Sequence, residues 1–383
     1  NVDESNYGSA QGSLTLNTNN ITTDPLFVLS GSDDYHLLGS SPAKDNADNT
    51  DVSVTLDLDG ITRADPDMGC YEGAGSIYWD GSTDNDWLTA SNWSSNTVPT
   101  AGKIAVIPTS ASYGDYPIID EANAVCGTLS LLGDAYMQVA SGKLTIGGTV
   151  DMVSTSEIQF DGGELECSGQ FNADGILDIN SGTLDIDNTL DISATITEQL
   201  TGGTIEIEDN LTNMGGTWTP SGTNTITFDG SGNSVITDAD GISFYNLTLN
   251  KDAIGQTLTC NSANDDITVD AAFTITQGTM TPTLGDFTVT GNTVLTAGKF
   301  IAIDAVSTFN GDVTLNNAAI MDHQGTPNLS TTEFIIVGNI ILNGTSGLQS
   351  STSTTDYLAL TGASKTISVN TAANSESINI YLS

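Results

Sequence analysis

The chain has 383 residues, with 48 Asp+Glu against 7 Lys+Arg and a formal net charge of −41. Phosphate binding needs clustered Lys and Arg, so nucleic acid is excluded as a partner and anionic membrane surfaces are disfavoured. Only 14% of residues are charged and 38% are hydrophobic. The acidity therefore comes from missing cations, and the apolar content suits a narrow core.

No apolar run approaches the ~20 residues that a membrane helix needs. The best, Phe334-Ile335-Ile336-Val337, is strand-sized, so no membrane insertion is expected. The sequence starts at Asn1 without an initiator Met or a signal peptide, as expected of a processed product or a piece of something longer.

Three regions succeed one another: 1–75, 76–125 and 126–383. In the first, residues 24–72 carry short strands separated by turn residues. Asp24 to Val28 is followed by Tyr35 to Leu37, a Ser41 to Ala43 turn, an Asp57-Leu58-Asp59-Gly60 turn and a strand from Asp67 to Glu72. This order resembles the closing stretch of right-handed parallel β-helix domains in large bacterial surface proteins. The resemblance implies the end of an upstream solenoid, or a reused terminal module.

Residues 76–125 hold three of the four tryptophans: Trp79, Trp87 and Trp93. Trp-x-Gly, Asp-Trp, Asn-Trp and Val-Pro before a Val-Ile-Pro strand resemble a module of secreted proteins from Bacteroidota-type bacteria. Two readings stand for the tryptophans. They form a sugar-stacking platform for surface glycans, or an aromatic plug over the first coil of a solenoid. Their position where the solenoid begins favours the plug.

From 126 onward a pattern returns about every twenty residues: a Gly, then apolar residues at the second and fourth positions after it. The glycines are Gly142, Gly163, Gly182 and Gly203, and the pattern fades before returning at 277–283 and 297–303. Short alternating strands with Gly, Asn and Asp turns at this period predict a β-solenoid, in which each coil buries its apolar face only by stacking. Roughly thirteen coils at the ~4.8 Å strand spacing give a rod of about 60 Å. Residues 225–251 also resemble repeats of the bacterial surface proteins. The fold class expected is all-β, a right-handed parallel β-helix with coils of about 20 residues, the hand being implied by the resemblance alone.

Alternation places the third residue after each Gly in solvent, which reads Thr145, Glu166, Asp185 and Glu206, and the fifth position adds Asp187 and Glu208. Stacking carboxylates at ~4.8 Å costs on the order of 1 kcal/mol per neighbouring pair even in water. Ca²⁺ relieves this by sharing carboxylate oxygens; the alternative is a solvated acidic face screened by salt. Asp57 and Asp59, Asp238 and Asp240, and the Asp80 to Asp86 stretch are further calcium candidates. Each also reads as a plain Asp-Gly turn, because no closing Glu completes an EF-hand. No cofactor besides Ca²⁺ is expected.

Cys167 occupies the slot that sister coils fill with Ile146, Ile186 and Ile207, and Cys260 follows Leu258 at strand spacing. Packing is the favoured reading, with a disulfide between coils as the alternative; the spacings match no zinc pattern. The last residues, including Ile378, Ile380 and Leu382, form an alternating strand with nothing after it. Such an edge offers unpaired N–H and C=O groups to another strand.

Parallel β-helices also host pectin-cleaving enzymes, and Asn49-Thr50-Asp51 and Asn264-Asp265-Asp266 partly echo the hydrolase motifs. The companion Gly-His-Gly and Arg-x-Lys motifs are absent, Arg63 is the only Arg, and the two His residues lack motif context. The expectation is a non-catalytic extracellular structural protein that builds a cell-surface filament by end-to-end self-association. A stalk segment within a larger adhesin, or a glycan-binding module, is the alternative.

Overall fold

The computed structural model describes residues 23–25, 27–29, 34–37, 41–43, 46–47, 67–69, 76–94, 96–153, 155–192, 199–213, 218, 222–238, 241–260, 266–282, 285–303, 306–324, 333–350, 357–361, 364–370 and 380–382. From residue 76 onward almost everything described is strand or turn, and the strands stack into three parallel sheets of 13, 15 and 7 strands. The fold is a β-solenoid.

The coil is easiest to follow where the glycine pattern is clearest. Lys143–Ile146 lies on one face and Val150–Met152 on the next. The chain then returns through Glu157–Cys167, which supplies the third face and the first face of the following coil in one bent strand. Leu144, Leu165, Leu184, Ile205 and Ile226 sit directly over one another, one per coil. All five are buried, because every second residue of each strand turns inward. Stacking identical inward positions makes one continuous aliphatic column.

Bending a strand through a corner while the next coil passes about 4.8 Å away leaves no room for side chains there. Gly203 has φ +68°, and a Cβ on it would lie 2.6 Å from Ile179 Cγ2 and 2.8 Å from Gly182 O. The recurring Gly therefore marks the corner, and the two apolar residues after it enter the core.

Beyond residue 240 the third face becomes a separate seven-stranded sheet that begins at Ile242–Phe244. There the aliphatic column gives way to phenylalanines: Phe273, Phe287, Phe300 and Phe309 meet edge-on or tilted, with centroids between 5.0 and 6.1 Å. Spacing also loosens. Phe273, Thr293 and Val313 stack at even intervals along the chain, but the step from Val313 to its partner Ile340 is longer. The extra length falls between Ile320–Gln324 and Glu333–Ile336.

Coil number and starting point differ from expectation. Ile77–Tyr78 and Ile104–Ile107 are already the first two strands of the 13-stranded sheet, and eleven of its strands follow residue 126. Long coils such as the one from Val313 to Ile340 use up the chain faster than a uniform short repeat would. Thirteen strands at the ~4.8 Å spacing still give a stack of about 60 Å.

Ahead of the solenoid, Phe27–Leu29 and Asp34–Leu37 pair antiparallel as a two-stranded sheet. Ser41 Oγ donates to Pro25 O at 2.5 Å, and Met68 N donates to Ala43 O at 2.9 Å, tying the described pieces of this segment together. Asp57, Asp59, Asp240 and Ile378 lie outside the described residues.

Candidate functional site

The coil register assembles the acidic ladder. Glu166 pairs with Asp185, and Asp185 with Glu206, while Thr145 and Thr227 close the column at either end. Lys143 stands beside its first member: Nζ lies 2.6 Å from Glu164 Oε1 and 2.7 Å from Glu166 Oε2. Among the described residues no cation reaches Asp185. Partial burial, followed by the charges of Glu206, Asp187, Asp229 and Glu166, pushes its carboxyl up to about 6. Burial also raises Glu206, with Asp229 and Glu164 adding to it.

Among the described residues, no three carboxylate, imidazole or thiol groups converge as ligands of a metal ion. Parallel strands hold the ladder carboxylates side by side, so they line a surface instead of surrounding a point. Asp238 is not an open turn residue either. It is buried, and its Oδ2 accepts a hydrogen bond from Asn213 Nδ2 in the preceding coil at 2.7 Å.

Asn92 fills the centre of the Asp80 to Asp86 loop. Fully buried, it donates from Nδ2 to Asp84 Oδ1 at 2.6 Å and to Asp86 O at 2.9 Å. Its Oδ1 accepts from the N–H groups of Thr83 and Asp84. Asp80, Asp84 and Asp86 each also accept a backbone N–H two residues ahead. Each of these carboxylates thus takes part in folding the loop around the Asn92 side chain. The Asn92 hydrogen bond holds the Asp84 carboxyl below the usual range.

The same loop orders the tryptophans. Trp79, Trp87 and Trp93 are each 1% exposed, which leaves no ring face for a sugar and corrects the stacking-platform expectation. Trp93 lies edge-on to both others, with centroids at 5.0 and 4.7 Å. Trp79 Nε1 donates to Asp115 O and Trp93 Nε1 to Trp87 O. Together with Ile77, Ala105 and Ile107 they belong to the solenoid's own core. Large amphipathic rings suit this task because the N–H groups of Trp79 and Trp93 satisfy loop carbonyls while the ring faces cover apolar atoms.

Cys126 and Cys167 are free, buried thiols separated by Ile146 in the register, and burial pushes the Cys167 thiol up to about 12. Both pack as core residues. At the other end, Ile380–Leu382 is the last strand of the seven-stranded sheet, with Ile380 beside Leu358 and Leu382 beside Leu360. Gly347–Ser350 and Ile367–Asn370 hold the same place in the other two sheets.

One surface went unread in the sequence. On the third face of the early coils, Tyr136 stands over Glu157, and Gln138 over Gln159 and Asp178. The alternation of Tyr136–Val139 and Glu157–Phe160 could have revealed it, but the glycine pattern draws attention to the strand after each Gly and not to the strand before it.

Residues 78–165, under a quarter of the chain, match the model of a family described as a domain of unknown function, DUF8693. The matched span runs from the tryptophan cap through the first coils. No curated protein and no solved structure matches the chain.

Proposed function

We propose that this chain is a non-catalytic extracellular rod that extends from a cell surface and joins end to end with further copies of itself. The observation that carries the reading is the stacking of three parallel sheets on one unbroken apolar core. Hydrogen bonds in such a stack run along the rod axis, so tension is shared by many bonds at every coil. Among the described residues, Gly347–Ser350, Ile367–Asn370 and Ile380–Leu382 each leave one strand edge unpaired. Pairing of that end with the N-terminal segment of another copy is a head-to-tail contact, and such contacts generate filaments when they do not close. The acidic composition supports a solvated exterior and gives intracellular polyanions nothing to bind.

A stalk within a larger adhesin is the second reading. It is favoured by the antiparallel hairpin ahead of the solenoid, since a rod that already carries a further element suits a longer array. Cryo-electron microscopy of the native material, with and without a calcium chelator, separates the two. Continuous fibres in the untreated sample support the filament, and their loss on chelation would give calcium a place at the junctions. Isolated rods of about 60 Å in both samples sink the filament and leave the stalk.

A further inference from the structure

The third face of the early coils differs in chemistry from the acidic ladder. Its outward positions form two columns, Tyr136 over Glu157 and Gln138 over Gln159 over Asp178. Tyr116, 40% exposed, stands edge-on to Tyr136 with centroids 4.6 Å apart. The polar groups are held in place. Tyr136 OH donates to Gln159 Oε1, while Gln138 and Gln159 both donate to Asp161 Oδ2, at 2.5 and 3.1 Å. Asp178 Oδ1 is shielded from water and has no hydrogen-bond partner among the described residues. The residue as a whole is only half-buried, so its carboxyl still meets the surface beside Gln159.

These groups define the occupant. The sheet's backbone groups are already paired coil to coil, so recognition falls to side chains and not to an added strand. No lysine or arginine stands in these columns and two carboxylates do, which repels anionic polymers. A partner must bring hydroxyl donors for fixed amide and carboxyl oxygens, and a C–H face for a tyrosine ring. A face whose outward positions recur at every coil suits a partner that itself repeats.

We propose that this face binds a neutral polysaccharide, with the exposed ring of Tyr116 as the stacking surface, Tyr136 set edge-on beside it, and Gln138, Gln159 and Asp178 as hydroxyl partners. Burial pushes the carboxyls of Glu157 and Asp178 up, which suits contact with uncharged hydroxyls more than with a cation. The site does not depend on whether the rod polymerises, and it replaces the buried tryptophans as the place where a glycan can reach aromatic rings.

Affinity electrophoresis of the full chain tests it, with laminarin or xyloglucan in the gel as neutral probes and polygalacturonate as the anionic one. Retardation is expected in at least one neutral gel and not in polygalacturonate. Tyr116→Ala and Asp178→Ala should each abolish it, with melting curves showing an intact fold, and Tyr116→Phe should restore it. Tyr245→Ala, at a tyrosine outside these columns, should leave it unchanged. Free migration in both neutral gels overturns the proposal. So does equal retardation in polygalacturonate, persistence in both alanine variants, or loss in the Tyr245 variant.

Discussion

Lys143 bridges Glu166 from the neighbouring coil at 2.7 Å, while further along the same column Asp185 and Glu206 have no such cation among the described residues. One end of the ladder is therefore neutralised by an ion pair, while at the other end burial and neighbouring charges make the carboxyls hold their protons more tightly. Asp185, raised to about 6, binds its proton more tightly in the folded chain than in the unfolded one. Its stabilising contribution is present in acid and is lost as pH rises from about 4 through about 6. Asp185→Asn keeps the shape and removes the charge. Melting temperature should rise by roughly 1–3 °C at pH 7.5, the scale of a fraction of a kcal/mol in a large protein. At pH 4 it should not move. An equal shift at both pH values would show that charge is not the cause.

Removing the lysine should act in the opposite direction. Lys143→Gln leaves Glu164 and Glu166 facing each other without a cation, while exposure of all three side chains limits the loss to about 1 kcal/mol or less. Because these charges are screened, the deficit should shrink between 20 mM and 500 mM salt, concentrations chosen to span roughly 20 to 4 Å in Debye length. Thermal melts across that series check it, and a deficit independent of salt would point to lost packing of the lysine stem.

How much of this could be read from residue order varies along the chain. Gly142, Gly163, Gly182 and Gly203 disclosed the coils because a corner, a close approach and two inward residues recur together at each. The column Glu166, Asp185 and Glu206 followed from the same alternation and falls in register as expected. Ile77–Tyr78 and Ile104–Ile107 were not legible as coils, since the whole tryptophan loop separates one from the other and hides the period. Nor was Asn92. A buried amide that ties together Thr83, Asp84 and Asp86 leaves no periodic trace, and its sequence neighbours read equally well as an open calcium loop.

That amide gives the cap its own test. Asn92→Ala strands the N–H groups of Thr83 and Asp84 and the carbonyl of Asp86 while leaving a cavity beside Trp93. Losing part-buried hydrogen bonds of this kind costs about 0.5–1.5 kcal/mol each, so the cap should open before the solenoid does. Tryptophan emission should shift to the red and acrylamide quenching should increase, with far-UV circular dichroism nearly unchanged. Buried, unquenched tryptophans in the variant would show that the rings hold the cap without Asn92.

The corners of the later coils make the stack intolerant of the smallest addition. Gly291, Gly311 and Gly338 follow one another up one corner, and a Cβ on Gly338 would lie 1.9 Å from Gly311 O and 2.6 Å from Asp312 N. Both neighbours are backbone, and Asp312 is already held from two sides. Its N–H donates to Asn292 Oδ1, and its own Oδ1 accepts from Asn339 N and Nδ2. Neither side can yield without breaking the ladder of side-chain to backbone bonds that joins three coils. Gly338→Ala should therefore cost about 1–3 kcal/mol, the usual penalty of forced overpacking, although alanine is elsewhere the mildest of substitutions. Because each coil contacts chiefly its neighbours, the loss should stay local. Hydrogen exchange should speed up at Val313–Leu315 and Ile340–Asn343 while Lys143–Ile146 keeps its protection. Uniform acceleration along the whole rod would mean that it unfolds as one cooperative unit.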